Sequence, residues 1–302
     1  MKQIELIEVT SEIGAGTRGS SMGVQALKIA SLNEKSTYFR KYPISKTPNT
    51  NEVLLTDNKY PYAKHIDSVY ENLHKVADLV NETGSKAKET FPIILSADHS
   101  SAYGTIAGIK KSFPNKRLGV IWIDAHADLH TPYTTPSGNM HGMPLAMALY
   151  EDNKICQVNQ PEKETLDYWS KIKNIGTDTA KILAEDLVFI GLRSTEAAEE
   201  SLIEKGNIRT IRTKEVNQKG VLRVVDEVFE HLSECDLIYI SFDVDSTDSR
   251  FSAGTGTPEK YGLSPDQALQ LNTNLVQNLK VICWEMAEIN PTLDIKNNMA
   301  TY

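Results

Sequence analysis

The chain has 302 residues, with 32 Lys and Arg against 40 Asp and Glu and a formal charge of −8. A hydrophobic content of 40% and a charged content of 24% describe a globule able to bury a sizeable core and exclude disorder and collagen-like repeats. The acidic balance, with basic residues scattered rather than striped, argues against nucleic acid, and no apolar run approaches the roughly 18 residues of a membrane span.

The elements follow a βαβ rhythm, in which short apolar runs alternate with segments of helical period. In chain order the runs 91–95, 118–123, 187–192, 237–242 and 281–286 read as strands. Segments 66–80, 143–150, 220–232 and 265–279 space their apolar residues by three and four, as amphipathic helices do. The polar, Pro-containing stretch 33–58 carries no clear element, and 157–179 reads as a surface excursion. Neither resembles an interdomain linker, so residues 1–302 read as one domain. The expected fold is a three-layer α/β/α arrangement around a mostly parallel sheet. Cys156, Cys235 and Cys283 are odd in number and far apart, suggesting neither a disulfide framework nor a thiolate metal knuckle. With a first segment too acidic for a secretory h-region, a reducing cytoplasm is the expected compartment.

In open parallel sheets the ligand crevice lies beyond the carboxyl ends of the strands. The run 91–95 leads into Ser96-Ala97-Asp98-His99, 118–123 into Asp124-Ala125-His126-Ala127-Asp128, 237–242 into Asp243-Val244-Asp245, and 281–286 into Glu288. Four of the seven histidines, His99, His126, His130 and His141, fall in this part of the chain. Alternate residues on extended backbone project to one side, so these runs converge as metal ligands do. Carboxylate with imidazole and no thiolate suits Mn²⁺ or a similar divalent ion rather than structural zinc. Six donors are too many for one catalytic ion with an open position, so two ions are expected. Four carboxylates neutralise two such ions, and water between them is acidified toward a nucleophile at neutral pH, which argues for hydrolysis.

The motifs SADHS (96–100), DAHADLHTP (124–132), SGNMHG (137–142), SFDVDSTD (241–248), GTGTP (254–258) and EINP (288–291) resemble those of the ureohydrolase family, its arginase branch most closely. The metal motifs are common to all ureohydrolases, whereas the loop 131–142 is similar to that of arginases rather than agmatinases or guanidinobutyrases. The resemblance implies two Mn²⁺, one held by His99, Asp124, Asp128 and Asp243 and the other by Asp124, His126, Asp243 and Asp245. It implies hydrolysis of the L-arginine guanidinium to ornithine and urea. Asp128 would then relay a proton to the leaving amine, Glu288 orient the guanidinium, and His141 shuttle protons. Ser137, Asn139 and His130 would read the α-carboxylate and Glu196 the α-amino group, and the family's trimers or hexamers imply a homo-oligomer. Alternatives are another ureohydrolase, of agmatinase, guanidinobutyrase or formiminoglutamase type, or a non-catalytic metal-binding relative.

Some positions depart from the family pattern: His130 replaces a usual Asn, Glu196 a usual Asp, and Ser96-Ala97 a Gly pair. The chain stops at Tyr302, where family members begin a closing helix; absence of that helix and truncation both stay open. Thr257 is a candidate to support the ligand carboxylates. The glycine-rich stretch 14–23 lacks the strand and Lys-Ser/Thr ending of a phosphate loop and reads as a loop near the site mouth. His65, His74 and His231 read as helical surface or packing residues.

Overall fold

The computed structural model describes residues 2–84 and 90–302. Its first strand, β1 (Gln3–Val9), is followed by α1 (Gly23–Asn33), the short α2 (Tyr38–Lys41), β2 (Ile44–Lys46), α3 (Ile66–Gly84), β3 (Thr90–Ser96), α4 (Ser101–Ser112) and β4 (Leu118–Ile123). After a long loop come α5 (Pro144–Ala148), α6 (Lys163–Lys173), β5 (Leu187–Ile190), α7 (Ala197–Gly206), β6 (Arg209–Ile211), α8 (Thr213–Lys219), α9 (Val221–His231) and β7 (Leu237–Asp243). The chain finishes with α10 (Pro265–Leu275), β8 (Val281–Ala287) and α11 (Asn298–Thr301).

The eight strands form one sheet in the order β2-β1-β3-β8-β7-β4-β5-β6. Every pairing is parallel, so the sheet is wholly rather than mostly parallel. Strands buried on both faces need no polar alternation, and β4 (LGVIWI) is buried at every residue.

Helices cover both faces. On one, α3 presents Ile66, Val69, Leu73, Val76, Ala77 and Val80, a stripe at three and four spacing, to the core shared with α4, α5 and α6. Close approach of α4 to α3 requires Gly104, where a Cβ would stand 2.8 Å from the Cβ of Val76. On the other face, Val221, Val224, Val225 and Val228 of α9 pack with Leu271 and Leu275 of α10. Pro265 at the first turn and the Ser264–Gln267 capping box start α10, satisfying amides that a helix start leaves unbonded.

Three segments differ from the sequence reading. The stretch 157–179 is not simply a surface excursion: it contains α6, whose Trp169 and Ile172 are buried in the core. The stretch 33–58 contributes α2 and the edge strand β2. His65 sits just ahead of α3 with φ +51 rather than on the helix. No helix among the described residues is long and apolar enough to cross a membrane.

Candidate metal centre

The central strands β3, β8, β7 and β4 direct their carboxyl ends to one edge of the sheet, and the residues just beyond them meet there. His99 Nδ1 lies 3.0 Å from Asp124 Oδ2 and 3.1 Å from both Asp128 Oδ2 and Asp243 Oδ2. Beside this cluster, His126 Nδ1 is 3.0 Å from Asp245 Oδ2 and 3.6 Å from Asp124 Oδ1. Asp124 thus belongs to both groups of converging donors.

Two observations show that these donors fit cations. His99 Nδ1 and Asp124 Oδ2 are buried and neither makes a hydrogen bond despite their 3.0 Å separation; the pair is aimed at a shared point, not along an N–H···O line. Four buried carboxylates also crowd one small volume. Burial and the charge of Asp124 push the Asp128 carboxyl up to about 7, and burial, Asp245 and Asp124 push Asp243 well above the carboxylate range. Positive charge at the shared points removes that conflict.

The surroundings hold the donors in place. The His99 ring stacks on Trp122 of β4, with centroids 4.0 Å apart and planes 12° apart, and its Nε2 is 2.7 Å from Ser241 Oγ on β7, an arrangement that leaves Nδ1 for a metal. Further back, the buried Glu285 accepts hydrogen bonds from Ser96 Oγ and Thr105 Oγ1 at 2.6 Å and from Tyr239 Oη at 2.7 Å. Asp245 accepts from the Ala125 amide at 3.2 Å and from Thr257 Oγ1 at 3.0 Å, so Thr257 contacts a candidate ligand carboxylate.

Arg193 ties the Asp243–Asp245 segment to the rest of the wall. Its guanidinium donates to six carbonyls, those of Gly191, Asp245, Ser246, Thr247, Glu259 and Lys260, at 2.7–3.3 Å. The Asp245 contact, at 2.7 Å, is the shortest.

A cavity of about 150 Å³ opens over the cluster. His126, Asp128, His130, Ser137, Asn139, His141, Glu196, Asp243 and Asp245 line it, so most of the sequence-derived candidates meet at one place. His99, Asp124 and Glu288 are not among the residues that line it. Glu288, 3% exposed and at φ +71, accepts the His99 amide at 2.8 Å through Oε1, which is also 3.4 Å from His141 Nδ1. Burial works against the charged form of His141, but Glu288, Asp128 and Asp98 outweigh it and raise its pKa to about 9.

Toward the mouth, His130 Nε2 stands 3.7 Å from carboxylate oxygens of both Glu196 and Glu199. These two residues form the capping box of α7, in which Glu199 Oε2 accepts the Glu196 amide at 3.0 Å. The loop 135–139 also lines the cavity. It turns at Gly138, φ +75, where a Cβ would collide with the Pro61 carbonyl oxygen. The glycine-rich stretch 14–23 does border the site: a Cβ on Gly16 would stand 2.7 Å from Asn139 Nδ2.

The Arginase family model matches residues 2–302. The chain belongs to the arginase family. It is similar to the arginase of Bacillus subtilis, 33% identical over 298 residues that cover 98% of this chain and 93% of that one. Arginase-1 of Rattus norvegicus is 32% identical over 295 residues, 97% of this chain and 86% of its own. The solved arginase of Entamoeba histolytica in complex with L-ornithine superposes with a TM-score of 0.83 at 25% identity, covering 100% of this chain and 96% of that chain. Family membership makes this chain a metal-dependent hydrolase of the ureohydrolase class.

Within the arginase-family frame, several residues escaped the sequence reading. Glu199 carried a signal, since a Glu three residues after the Glu196 cap is the capping-box spacing. Arg193 carried none, because only the tertiary fold brings it against the Asp245 carbonyl.

Proposed function

We propose that this chain is an arginase: a catalytic unit spanning 1–302 that hydrolyses L-arginine to L-ornithine and urea with two Mn²⁺. The observation that carries the reading is the double convergence of His99, Asp124, Asp128, Asp243, His126 and Asp245 beneath a cavity whose mouth is polar on both sides. His99, Asp124, Asp128 and Asp243 would hold one ion, and Asp124, His126, Asp243 and Asp245 the other. When bound, the ions supply water activation and Lewis-acid stabilisation of charge developing at the guanidino carbon.

The protein's own groups do the rest. Asp128 takes a proton from the attacking water and delivers it to the departing amine, a transfer open to a carboxylate that lines the cavity. His141, protonated near neutral pH beside Glu288, exchanges protons between cavity and solvent. Glu288 holds His141 and orients the guanidinium by charge-assisted hydrogen bonding. Ser137, Asn139 and His130 bind the α-carboxylate, and Glu196 the α-amino group. The expected setting is a cytoplasmic homo-oligomer, a trimer or hexamer.

The test is urea release by Mn²⁺-loaded protein from L-arginine and agmatine in parallel, with metal content measured. Two ions per chain and a preference for arginine of at least about 100-fold in kcat/KM are expected, since a site built to bind a polar group rejects substrates that lack it. Equal turnover of agmatine overturns the substrate, one ion per chain overturns the binuclear centre, and no urea from either leaves a metal-binding relative.

A further inference from the structure

Behind the candidate metal donors lies a buried charge that the proposed reaction does not use. Glu285 is the only charged residue in the apolar run 281–286 and is 0% exposed. Among the described residues no cation pairs with it; three hydroxyls meet it instead, Ser96 Oγ at Oε1 and both Thr105 Oγ1 and Tyr239 Oη at Oε2. A carboxylate in the middle of a sheet is costly to bury, and an apolar side chain would fill the place without that cost. The register of β7 against β8 sets Glu285 directly beside Ser241, and Ser241 Oγ is 2.7 Å from His99 Nε2. The charge therefore stands within a short row of side chains from His99.

Only one arrangement of hydrogens satisfies that row. A carboxylate accepts and cannot donate, so the single hydrogen of the Tyr239 hydroxyl goes to Glu285. The same hydroxyl is hydrogen-bonded to Ser241, two residues along β7 and on the same side of the strand. With its own hydrogen committed, Tyr239 can only accept there, so Ser241 gives its hydrogen to Tyr239 and offers His99 lone pairs alone. His99 Nε2 must then carry the ring hydrogen, and Nδ1 turns its lone pair to the point shared with Asp124, Asp128 and Asp243. His126 is built differently: its Nδ1 faces Asp245 and Asp124, and among the described residues no hydroxyl or carboxylate is bonded to its Nε2.

We infer that Glu285, acting through Tyr239 and Ser241, is a positioning residue that fixes His99 in its metal-binding tautomer and so sets the affinity of one ion of the two. This rests on the two-ion reading of the site. Losing a partner that orients a metal-bound histidine costs about 10- to 100-fold in metal affinity.

The experiment titrates Mn²⁺ into metal-free wild type, Tyr239→Phe, Glu285→Gln, Glu285→Asp and Thr105→Val. Competition with a chelating dye gives the two affinities, and electron paramagnetic resonance distinguishes a spin-coupled pair of ions from a single one. Tyr239→Phe deletes a hydroxyl from the row, Glu285→Gln introduces amide hydrogens where the row needs an acceptor, and Glu285→Asp keeps the charge. Thr105→Val removes a donor to the same carboxylate oxygen without entering the row. In Tyr239→Phe and Glu285→Gln one ion should bind about 10- to 100-fold more weakly and the other within about twofold of wild type. At intermediate Mn²⁺ the pair spectrum should then give way to a single-ion spectrum that matches His99→Gln rather than His126→Gln. Glu285→Asp should recover part of the loss, and Thr105→Val should leave both affinities within about twofold. Wild-type affinities in both Tyr239→Phe and Glu285→Gln overturn the inference. So does equal weakening of the two ions, or a loss in Thr105→Val as large as in Tyr239→Phe, either of which makes Glu285 a support of the fold alone. Wild type that takes up a single ion overturns the two-ion reading, and the inference then stands only if Tyr239→Phe loosens that ion; wild type that takes up none overturns both.

Discussion

Replacing Arg193 with Met removes a guanidinium that, among the described residues, pairs with no carboxylate and instead gathers six carbonyls. A hydrogen bond to a charged group is worth about 1.5–3 kcal/mol, but five donor hydrogens shared among six acceptors do not add fully, and water reaches some of the freed carbonyls. A loss of about 3–5 kcal/mol is expected on that basis. At an unfolding entropy of about 2.1 cal/mol/K per residue, a chain of 302 residues converts this to a fall in Tm of about 5–8 °C. Release of the Asp245 carbonyl should also loosen the ligand segment and weaken Mn²⁺ binding by about 10- to 100-fold. Arg193→Lys keeps a charge but not the planar fork and should fall between the two. Calorimetric melting of metal-free protein, with Mn²⁺ competition against a chelating dye, measures both effects. A Tm within about 2 °C of wild type together with unaltered Mn²⁺ retention would refute the view that this residue organises the ligand loop.

His141→Asn should lower kcat by about 10- to 1000-fold with metal content intact, and Asp128→Asn should do worse and also lose metal; unchanged kcat for His141→Asn at every pH removes that residue from the proton path. Gly138→Ala places a Cβ at φ +75 against the Pro61 carbonyl, so a loss of at least about 1 kcal/mol in urea unfolding and a raised KM for arginine are expected; wild-type values for both would show that the turn tolerates a side chain. Burial pushes the Lys181 pKa down to about 8 from 10.5. The folded chain therefore binds fewer protons than the unfolded one between those values, and stability tied to this group rises with pH across the window. Relative to Lys181→Met, wild type should gain about 1–2 kcal/mol from pH 7.5 to 10 after allowance for solvent screening; a gap that narrows contradicts the burial argument.

The strands legible in the sequence are those covered on both faces: β3, β4, β5, β7 and β8 stand out as apolar runs because their residues are buried or at most half-buried. β1 does not, since Glu5 and Glu8 interrupt it. Glu8 is 1% exposed and is held by Lys28 at 2.5 Å and Lys46 at 3.0 Å, partners that only the fold reveals. β2 and β6, three residues each, are too short for any period, and α6 buries only a narrow face around Trp169 and Ile172. The candidate metal donors were legible because alternation after a strand is a local geometric signal. The walls of the cavity were legible only in part: His130, Ser137 and Asn139 sit in one loop, but Ser194 and Thr195 come from the segment after β5.

The capping box of α7 has a consequence for how this pocket can change over evolutionary time. Glu199 accepts the Glu196 amide and, at 3.2 Å, the Leu129 amide next to His130, so the start of a helix and the rim of the cavity share one carboxylate. A mutation of Glu199 that retunes the acidic side of the pocket also frees two backbone donors, whereas Glu196, its side chain 57% exposed, can vary in length at little structural expense. Natural drift toward new amine ends should run through positions 130 and 196 while 199 stays acidic. A library randomised at all three positions and sorted for folding before activity should keep Glu199 and scatter the other two.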